Sequence, residues 1–143
     1  MEFVTFKIAK KLKEKGFNIP CIYAYCEKGG WNMYRQVHEP ITHILRTDGN
    51  PFGSFYIGKN WNVEYKTNKN KIRCSAPTIS QVLKWLREEK KIHIQILFAC
   101  PPSKWEYIIV EMTNNELRET YTSFKSYEQA ALAGIEYVLD NLI

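Results

Sequence analysis

The stretch TISQVLKWLREEKKIHIQILF, residues 78–98, decides the fold because its hydrophobic period changes part of the way along it. A capping box formed by Thr78 and Gln81 precedes apolar residues spaced three and four apart, which predicts a helix over 78–90. From 92 to 98 every second residue is apolar, a pattern typical of a strand with one buried face. A helix that runs directly into such a strand favours a helix packed on an antiparallel sheet.

The sequence that follows this stretch predicts two more strands and a helix. Apolar and aromatic residues dominate 104–112, and a polar turn at Asn114 leads to a third strand at 118–124. Ser126 and Gln129 then repeat the capping pattern in front of a long apolar stripe. The second half of the chain is therefore predicted to have the order α-β-β-β-α.

The first half is predicted to contain one helix and several strands. Lysines and apolar residues occupy opposite faces of an amphipathic helix over 5–16, and Gly16 is placed to end it. Four further segments have strand character: 19–26, 31–37, 53–57 and 61–67. The segment 41–47 is compatible with either a short helix or a strand.

The domain organisation follows from the length and from a weak internal repeat. A chain of 143 residues is expected to form one domain, 1–143. Shifting the sequence by 74 residues aligns the helical segment 8–14 with 82–88, so the halves 1–74 and 75–143 are candidate copies of a helix–hairpin unit. We predict an α+β fold with two layers, antiparallel sheets and three helices.

The charge is unevenly distributed along the chain. There are 20 Lys and Arg and 15 Asp and Glu, a formal charge of +5, with the basic excess in 1–76 and an acidic excess in 114–143. A basic front half favours an anionic partner. A lysine-rich solvent face on the first helix would produce the same pattern without any partner.

Membrane, metal and cofactor functions find no support in the sequence. No apolar run approaches the ~20 residues that cross a bilayer, and the N-terminus lacks a secretory signal pattern, so we expect a cytoplasmic protein that does not contact membranes. The cysteines have no metal-ligand spacing to one another or to the histidines, and we expect them to be small hydrophobic residues. The cysteines are Cys21, Cys26, Cys74 and Cys100.

No motif points to catalysis. The chain lacks a P-loop, a dinucleotide-binding glycine pattern, a nucleophile elbow and a zinc-protease helix. His38, Glu39 and His43 lie close together, but in a predicted loop where an exposed histidine is the commoner explanation. We therefore expect a protein that is not an enzyme and needs no cofactor.

Two stretches interleave aromatic rings with amide and basic side chains, WNMYRQ at 31–36 and WNVEYK at 61–66. In a strand, alternate residues share a face, so Asn32, Tyr34 and Gln36 would project together, as would Asn62, Glu64 and Lys66. A ring that stacks and a cation that pairs with phosphate suit a planar anionic ligand, although sheets favour aromatic residues for packing alone. The predicted ligand-binding residues are Trp31, Asn32, Tyr34, Arg35, Gln36, Trp61, Asn62 and Lys66.

The segments SAPTISQVLKWLREEKKIHI at 75–94 and SYEQAALAGIEYVLDNLI at 126–143, together with 3–17, resemble a group of small uncharacterised proteins of gut bacteria and their phages. The resemblance covers chiefly the three predicted helices. It implies no activity and no catalytic residue. It does imply a phage or mobile-element context, in which binding or inhibiting a host component is more expected than metabolism.

These observations favour one function and leave two alternatives open. The favoured hypothesis is a homo-oligomeric binding protein that sequesters an anionic small molecule, for example a nucleotide signal of host defence. The first alternative is an inhibitor of a host protein that acts through a sheet edge or through Trp85, which we expect to be exposed. The second is a double-stranded-RNA-binding module, which shares the order α-β-β-β-α but begins its last helix with lysines, whereas 126–131 contain none.

Overall fold

The computed structural model describes residues 2–21, 23–26, 40–41, 60, 62, 72–100 and 103–143. Contacts between Cα atoms divide the chain into two compact units. The N-terminal unit is Phe3–Pro77, and the C-terminal unit is Met1–Glu2 together with Thr78–Ile143. The single domain and the related halves inferred from the sequence stay predictions.

The N-terminal unit combines one helix with short strands. The elements are α1 (Phe6–Glu14), β1 (Ala24–Cys26), β2 (Pro40–Ile41) and β3 (Ile72–Ser75). The strands form an antiparallel sheet in the order β2-β1-β3, and α1 packs against β3. The helix buries Ile8, Ala9 and Leu12, the apolar face that its sequence period predicts.

Local hydrogen bonds define both ends of α1. The hydroxyl of Thr5 accepts a bond from the Ile8 amide at 3.3 Å and caps the first turn. At the other end Gly16 has a φ of +84°, a left-handed conformation that glycine adopts without steric cost. The Phe17 amide then donates to the Leu12 carbonyl at 2.9 Å, and the Phe17 ring is 1% exposed. The predicted glycine stop is confirmed as a Schellman motif with its apolar contact.

The strand predicted over 19–26 is shorter in the structure, which assigns only Ala24–Cys26 to β1. Pro20 lacks an amide hydrogen and cannot donate to a sheet ladder, which explains why regular pairing starts after it. Of the segment 41–47, Ile41 belongs to β2 and the rest lies outside the described residues. The segments 31–37 and 53–57 also lie outside them.

The C-terminal unit contains the predicted order α-β-β-β-α, so the α+β fold class is confirmed. Its elements are α2 (Ile79–Glu89), β4 (Ile92–Ala99), β5 (Lys104–Glu111), β6 (Glu116–Phe124) and α3 (Tyr127–Asn141). The three strands form an antiparallel meander in the order β4-β5-β6. The capping box of Thr78 and Gln81 is present, and the Ser126 hydroxyl accepts from the Gln129 amide at 3.1 Å.

Both helices of this unit pack on one face of the sheet. The register pairs Ile94 with Ile109 and Ile96 with Tyr107, which places these four side chains on that face. At Gly134 of α3 the approach is close, because an added Cβ would lie 3.0 Å from Ile94 Cγ2 and 3.2 Å from Tyr107 Cγ. A glycine is therefore required for the observed distance between α3 and the sheet.

The expectation that Trp85 is exposed is wrong. Trp85 is 2% exposed and belongs to the buried face of α2 with Ile79, Val82 and Leu86. Its position three residues after Val82 places it on the edge of the apolar stripe, and α2 packs against both β4 and α3. The Lys90 ammonium lies 5.1 Å from the centre of the indole ring and covers it. Trp85 therefore cannot act as an exposed anchor for a partner.

Candidate functional site

Of the eight predicted ligand-binding residues, the structure describes Asn62. The others, Trp31, Asn32, Tyr34, Arg35, Gln36, Trp61 and Lys66, lie outside the described residues. Their grouping into one binding face stays a prediction. Asn62 itself lies in a turn, where its amide N–H donates to Asn60 Oδ1 at 3.1 Å, so at this position the predicted strand is interrupted.

The side chain of Asn62 connects two elements of the N-terminal unit. Its Nδ2 donates to the Phe17 carbonyl at 2.8 Å, directly after the end of α1. Its Oδ1 accepts from the Ser75 amide at 2.9 Å, in the last residue of β3. One amide therefore satisfies two main-chain groups that lie far apart in sequence, which is a structural role that the alternation pattern did not reveal.

The described residues of the N-terminal unit are strongly basic, with six Lys and Arg side chains and one carboxylate, Glu14. Five of them lie on α1 or β3 and the sixth, Lys15, is the C-terminal cap of α1; we call the six the basic face. Its members are Lys7, Lys10, Lys11, Lys13, Lys15 and Arg73. In the C-terminal unit the described carboxylates outnumber the Lys and Arg residues, so the uneven charge of the sequence coincides with the division into units.

A hydrogen bond joins the two parts of the basic face. The Lys13 ammonium donates to the carbonyl of Arg73 at 2.9 Å, across 60 residues of sequence. The side chain of Arg73 is exposed, so its guanidinium adds to the cations at the end of α1. Sequence reasoning missed Arg73, because nothing in the local pattern of IRCS links this arginine to a helix near the N-terminus.

One aromatic ring lies within the basic face. The Lys10 ammonium is 5.8 Å from the centre of the Phe6 ring, and that ring also meets Tyr25 edge-to-face with centroids 5.4 Å apart. Phe6 is half-buried, so part of its side chain is accessible beside the lysines. Cations next to a partly accessible ring are the chemical groups that a phosphate-bearing aromatic ligand contacts.

The buried thiol of Cys21 is not suited to act as a nucleophile or a metal ligand at neutral pH. Burial raises the pKa of Cys21 from its usual 9.0 to about 12; a hydrogen bond with Ser75 opposes the shift, and Cys74 nearby adds to it. The reactive and metal-binding form of cysteine is the thiolate, which this environment disfavours. Cys21 and Cys74 are buried, as expected of small hydrophobic residues, whereas Cys100 is exposed.

The C-terminal unit has a cleft of about 380 Å³ with a different character. It lies between the first turns of α2 and α3 and is lined by Glu2, Thr78, Ile79, Ser80, Tyr127 and Glu128. Two carboxylates and no basic side chain line it, so it does not suit an anion. Within the described part of the chain, no group of three or more His, Cys, Asp or Glu side chains could hold a metal ion, and no helix is long and apolar enough to cross a membrane.

The basic face is therefore the candidate site for which charge and geometry agree. It joins cations from two elements, has one nearby carboxylate among the described residues, and lies next to Asn62, the described residue of the second predicted binding stretch. Comparison with protein-family models, with curated proteins and with solved structures finds no match to this chain, so likeness to a known protein assigns neither a family nor an activity.

Proposed function

We propose that this chain is a non-enzymatic binding protein whose basic face captures an anionic small ligand of the nucleotide class. The observation that carries the proposal is the concentration of six cations and one carboxylate on α1, its C-terminal cap and β3. The resemblance to proteins of gut bacteria and their phages supplies the context, in which the ligand is a signal of host defence and binding removes it from its receptor.

The position of Asn62 supports the proposal. This residue is hydrogen-bonded to the end of α1 and to β3, the two elements that carry the basic face. Asn62 belongs to the stretch 61–66, whose sequence also has a tryptophan, a tyrosine and a lysine, so this residue links the second predicted binding stretch to the elements that carry the cations. A ligand with an aromatic base and phosphate groups would use both sets of side chains, stacking on rings and pairing with Lys and Arg.

The expected binding is sensitive to salt. Lysine ammonium groups are mobile point charges, and exposed charges more than ~8 Å apart are screened at physiological ionic strength. Affinity from such a surface falls as salt rises, whereas affinity from stacking does not. The two contributions can therefore be separated by titrating the same ligand at two ionic strengths.

The direct test is calorimetric titration of cyclic dinucleotides, cyclic trinucleotides and ADP-ribose isomers into the purified protein. A charge-reversed variant, Lys10→Glu with Arg73→Glu, should bind at least about tenfold more weakly, because each substitution removes a charge-assisted hydrogen bond. The matched control is Lys104→Glu, which reverses an exposed charge in the other unit and should leave affinity unchanged. Absence of heat and of thermal stabilisation with every ligand of the panel would refute the proposal.

The structure bears differently on the two alternative functions, inhibition of a host protein and binding of double-stranded RNA. The inhibitor hypothesis loses Trp85 as its anchor, because that side chain is buried, but retains the sheet edge. The RNA-binding hypothesis keeps its element order, yet the first turn of α3 has Glu128 as its charged residue. A gel shift with duplex RNA at low salt tests that alternative, and a shift abolished by Lys10→Glu would reassign the basic face to nucleic acid.

A further inference from the structure

Strand β4 lies at one edge of the sheet in the C-terminal unit, and none of the described strands lies on its outer side. Its eight residues, IHIQILFA, include no Asp, Glu, Lys, Arg, Pro or Gly, and its register with β5 is regular throughout. The opposite edge strand, β6, carries Glu116, Arg118 and Glu119, and its register is interrupted twice. Edge strands are normally protected by charges, prolines or bulges, so β6 is protected and β4 is not.

The hydrogen bonds of β4 show which residues could pair outward. The Met112 amide donates to the Lys91 carbonyl at 2.8 Å, so this pair, which continues the β4–β5 register, is of the hydrogen-bonded type. Because the two types of pair alternate in an antiparallel ladder, the odd-numbered residues of β4 bond to β5. The amide and carbonyl groups of the even-numbered residues therefore point away from β5, to the side on which no described strand lies. These residues are Ile92, Ile94, Ile96 and Phe98.

The even-numbered residues of β4 are all apolar and lie in equal number on the two sides of Gln95. In an antiparallel pair of identical strands with the two-fold axis at Gln95, Ile94 lies opposite Ile96 of the second copy and Ile92 lies opposite Phe98. In both pairs the main-chain amide and carbonyl groups point away from β5, so each of these groups gains a partner in the second copy. No like charges meet, because the strand carries none, and each Gln95 lies opposite the Gln95 of the other copy.

We propose that β4 is a homodimer interface at which two copies of the chain join their three-stranded sheets into one six-stranded sheet. The proposal is independent of the ligand proposed above. It accounts for Phe98, which is 52% exposed in the single chain and would be covered by Ile92 of the second copy. An edge pair alone buries less than the ~1,200 Å² of a typical stable interface, so we expect a dissociation constant in the micromolar range.

The test uses the axis residue. Gln95 is exposed, so Gln95→Glu and Gln95→Lys should both fold, which circular dichroism would verify. In each variant alone two like charges face one another at the axis, and the dissociation constant measured by analytical ultracentrifugation should rise about fivefold or more. Mixing the two variants places Glu opposite Lys, and the heterodimer should exceed its statistical share in native mass spectrometry.

The matched controls are Thr113→Glu and Thr113→Lys, which make the same charge changes in the exposed turn between β5 and β6. These variants should dimerise like the unmodified chain, and their mixture should show no preference. A monomeric chain at ~100 µM, well above the expected micromolar constant, would overturn the proposal. So would a dimer that both Gln95 variants leave intact, because its interface would lie elsewhere.

Discussion

The hydroxyl of Tyr25 donates a hydrogen bond of 2.6 Å to the carbonyl oxygen of Val4, and the two side chains are 2% and 1% exposed. The same Val4 donates its amide to the Pro77 carbonyl at 3.1 Å. Val4, two residues before α1, is thus hydrogen-bonded to β1 through Tyr25 and to the segment that follows β3 through Pro77. This arrangement stabilises the N-terminal unit, in which the candidate site lies.

Replacing Tyr25 with phenylalanine should lower the free energy of unfolding by about 1–3 kcal/mol, because the buried carbonyl of Val4 loses its partner. Urea denaturation followed by circular dichroism measures the change. Tyr23→Phe is the control, since that ring packs edge-to-face on Phe3 with centroids 4.8 Å apart and needs no hydroxyl to do so. An equal loss in both variants would contradict the assigned bond.

Stability should fall in alkaline solution because two buried groups hold their protons in the folded chain. Burial raises the pKa of Tyr25 from 10.0 to about 12 and that of Cys21 from 9.0 to about 12. At a pH between the ordinary pKa and the raised pKa of each group, the thiol or phenol loses its proton in the unfolded chain but keeps it in the folded chain. The free energy of unfolding therefore decreases as pH rises, by about 1.4 kcal/mol per pH unit for each group.

The separate contributions can be read from variants. Cys21→Ala should remove the part of the decline that begins near the ordinary thiol pKa, whereas Tyr25→Phe should remove the part that begins about one pH unit higher. The quantity to compare is the slope of the unfolding free energy against pH, since each substitution also changes stability at neutral pH. Parallel slopes in all three proteins would show that these groups do not retain their protons on folding.

The role of Asn62 can be separated from ligand binding by Asn62→Asp, which keeps the size of the side chain and removes the donor to Phe17. The loss of a partly buried hydrogen bond should cost about 1–2 kcal/mol of stability without any ligand present. Asn18→Ala, at an exposed position directly after Phe17, is the control and should have little effect. A variant with unchanged stability and weaker nucleotide binding would instead assign Asn62 to the ligand.

Gly134→Ala should destabilise the C-terminal unit even though alanine is the better helix former. The gain in helix propensity is about 1 kcal/mol, whereas overpacking against Ile94 and the rigid ring of Tyr107 costs about 1–3 kcal/mol. Gly134→Val should be worse than Gly134→Ala, because it adds volume at the same contact. Thermal unfolding measures the order, and a more stable alanine variant would show that α3 can move away from the sheet.

The helices could be predicted because their ends depend on residues within four or five positions. Thr78 with Gln81 and Ser126 with Gln129 form local hydrogen bonds, and Gly16 supplies the left-handed residue that ends α1. The exposure of Trp85 could not be read in the same way. A residue at the edge of an apolar stripe is buried or exposed according to what packs beside the helix, and α2 has neighbours on two sides.

The sequence predicted the positive charge of the candidate site but not the contacts that assemble it. A basic first half was evident from the sequence, and α1 carries four of its lysines, with Lys15 at its C-terminal cap. Arg73 joins them through a contact with Lys13 across 60 residues, and Asn62 is held by groups 45 and 13 residues away. No local pattern encodes such contacts, so the amide that alternation assigned to a ligand was seen to be structural only once both partners were located.

The sequence by itself therefore determined the helices, the meander of the C-terminal unit and the basic character of the first half, since hydrophobic period, capping and charge are properties of neighbouring residues. The tertiary structure decided the burial of Trp85, the glycine contact of α3 and the attachment of Asn62 and Arg73 to elements far away in the chain. It also decided which half of the β4 amides face outward, because that depends on the register with β5. Each of these outcomes is set by a partner distant in sequence, whose position only the folded chain defines.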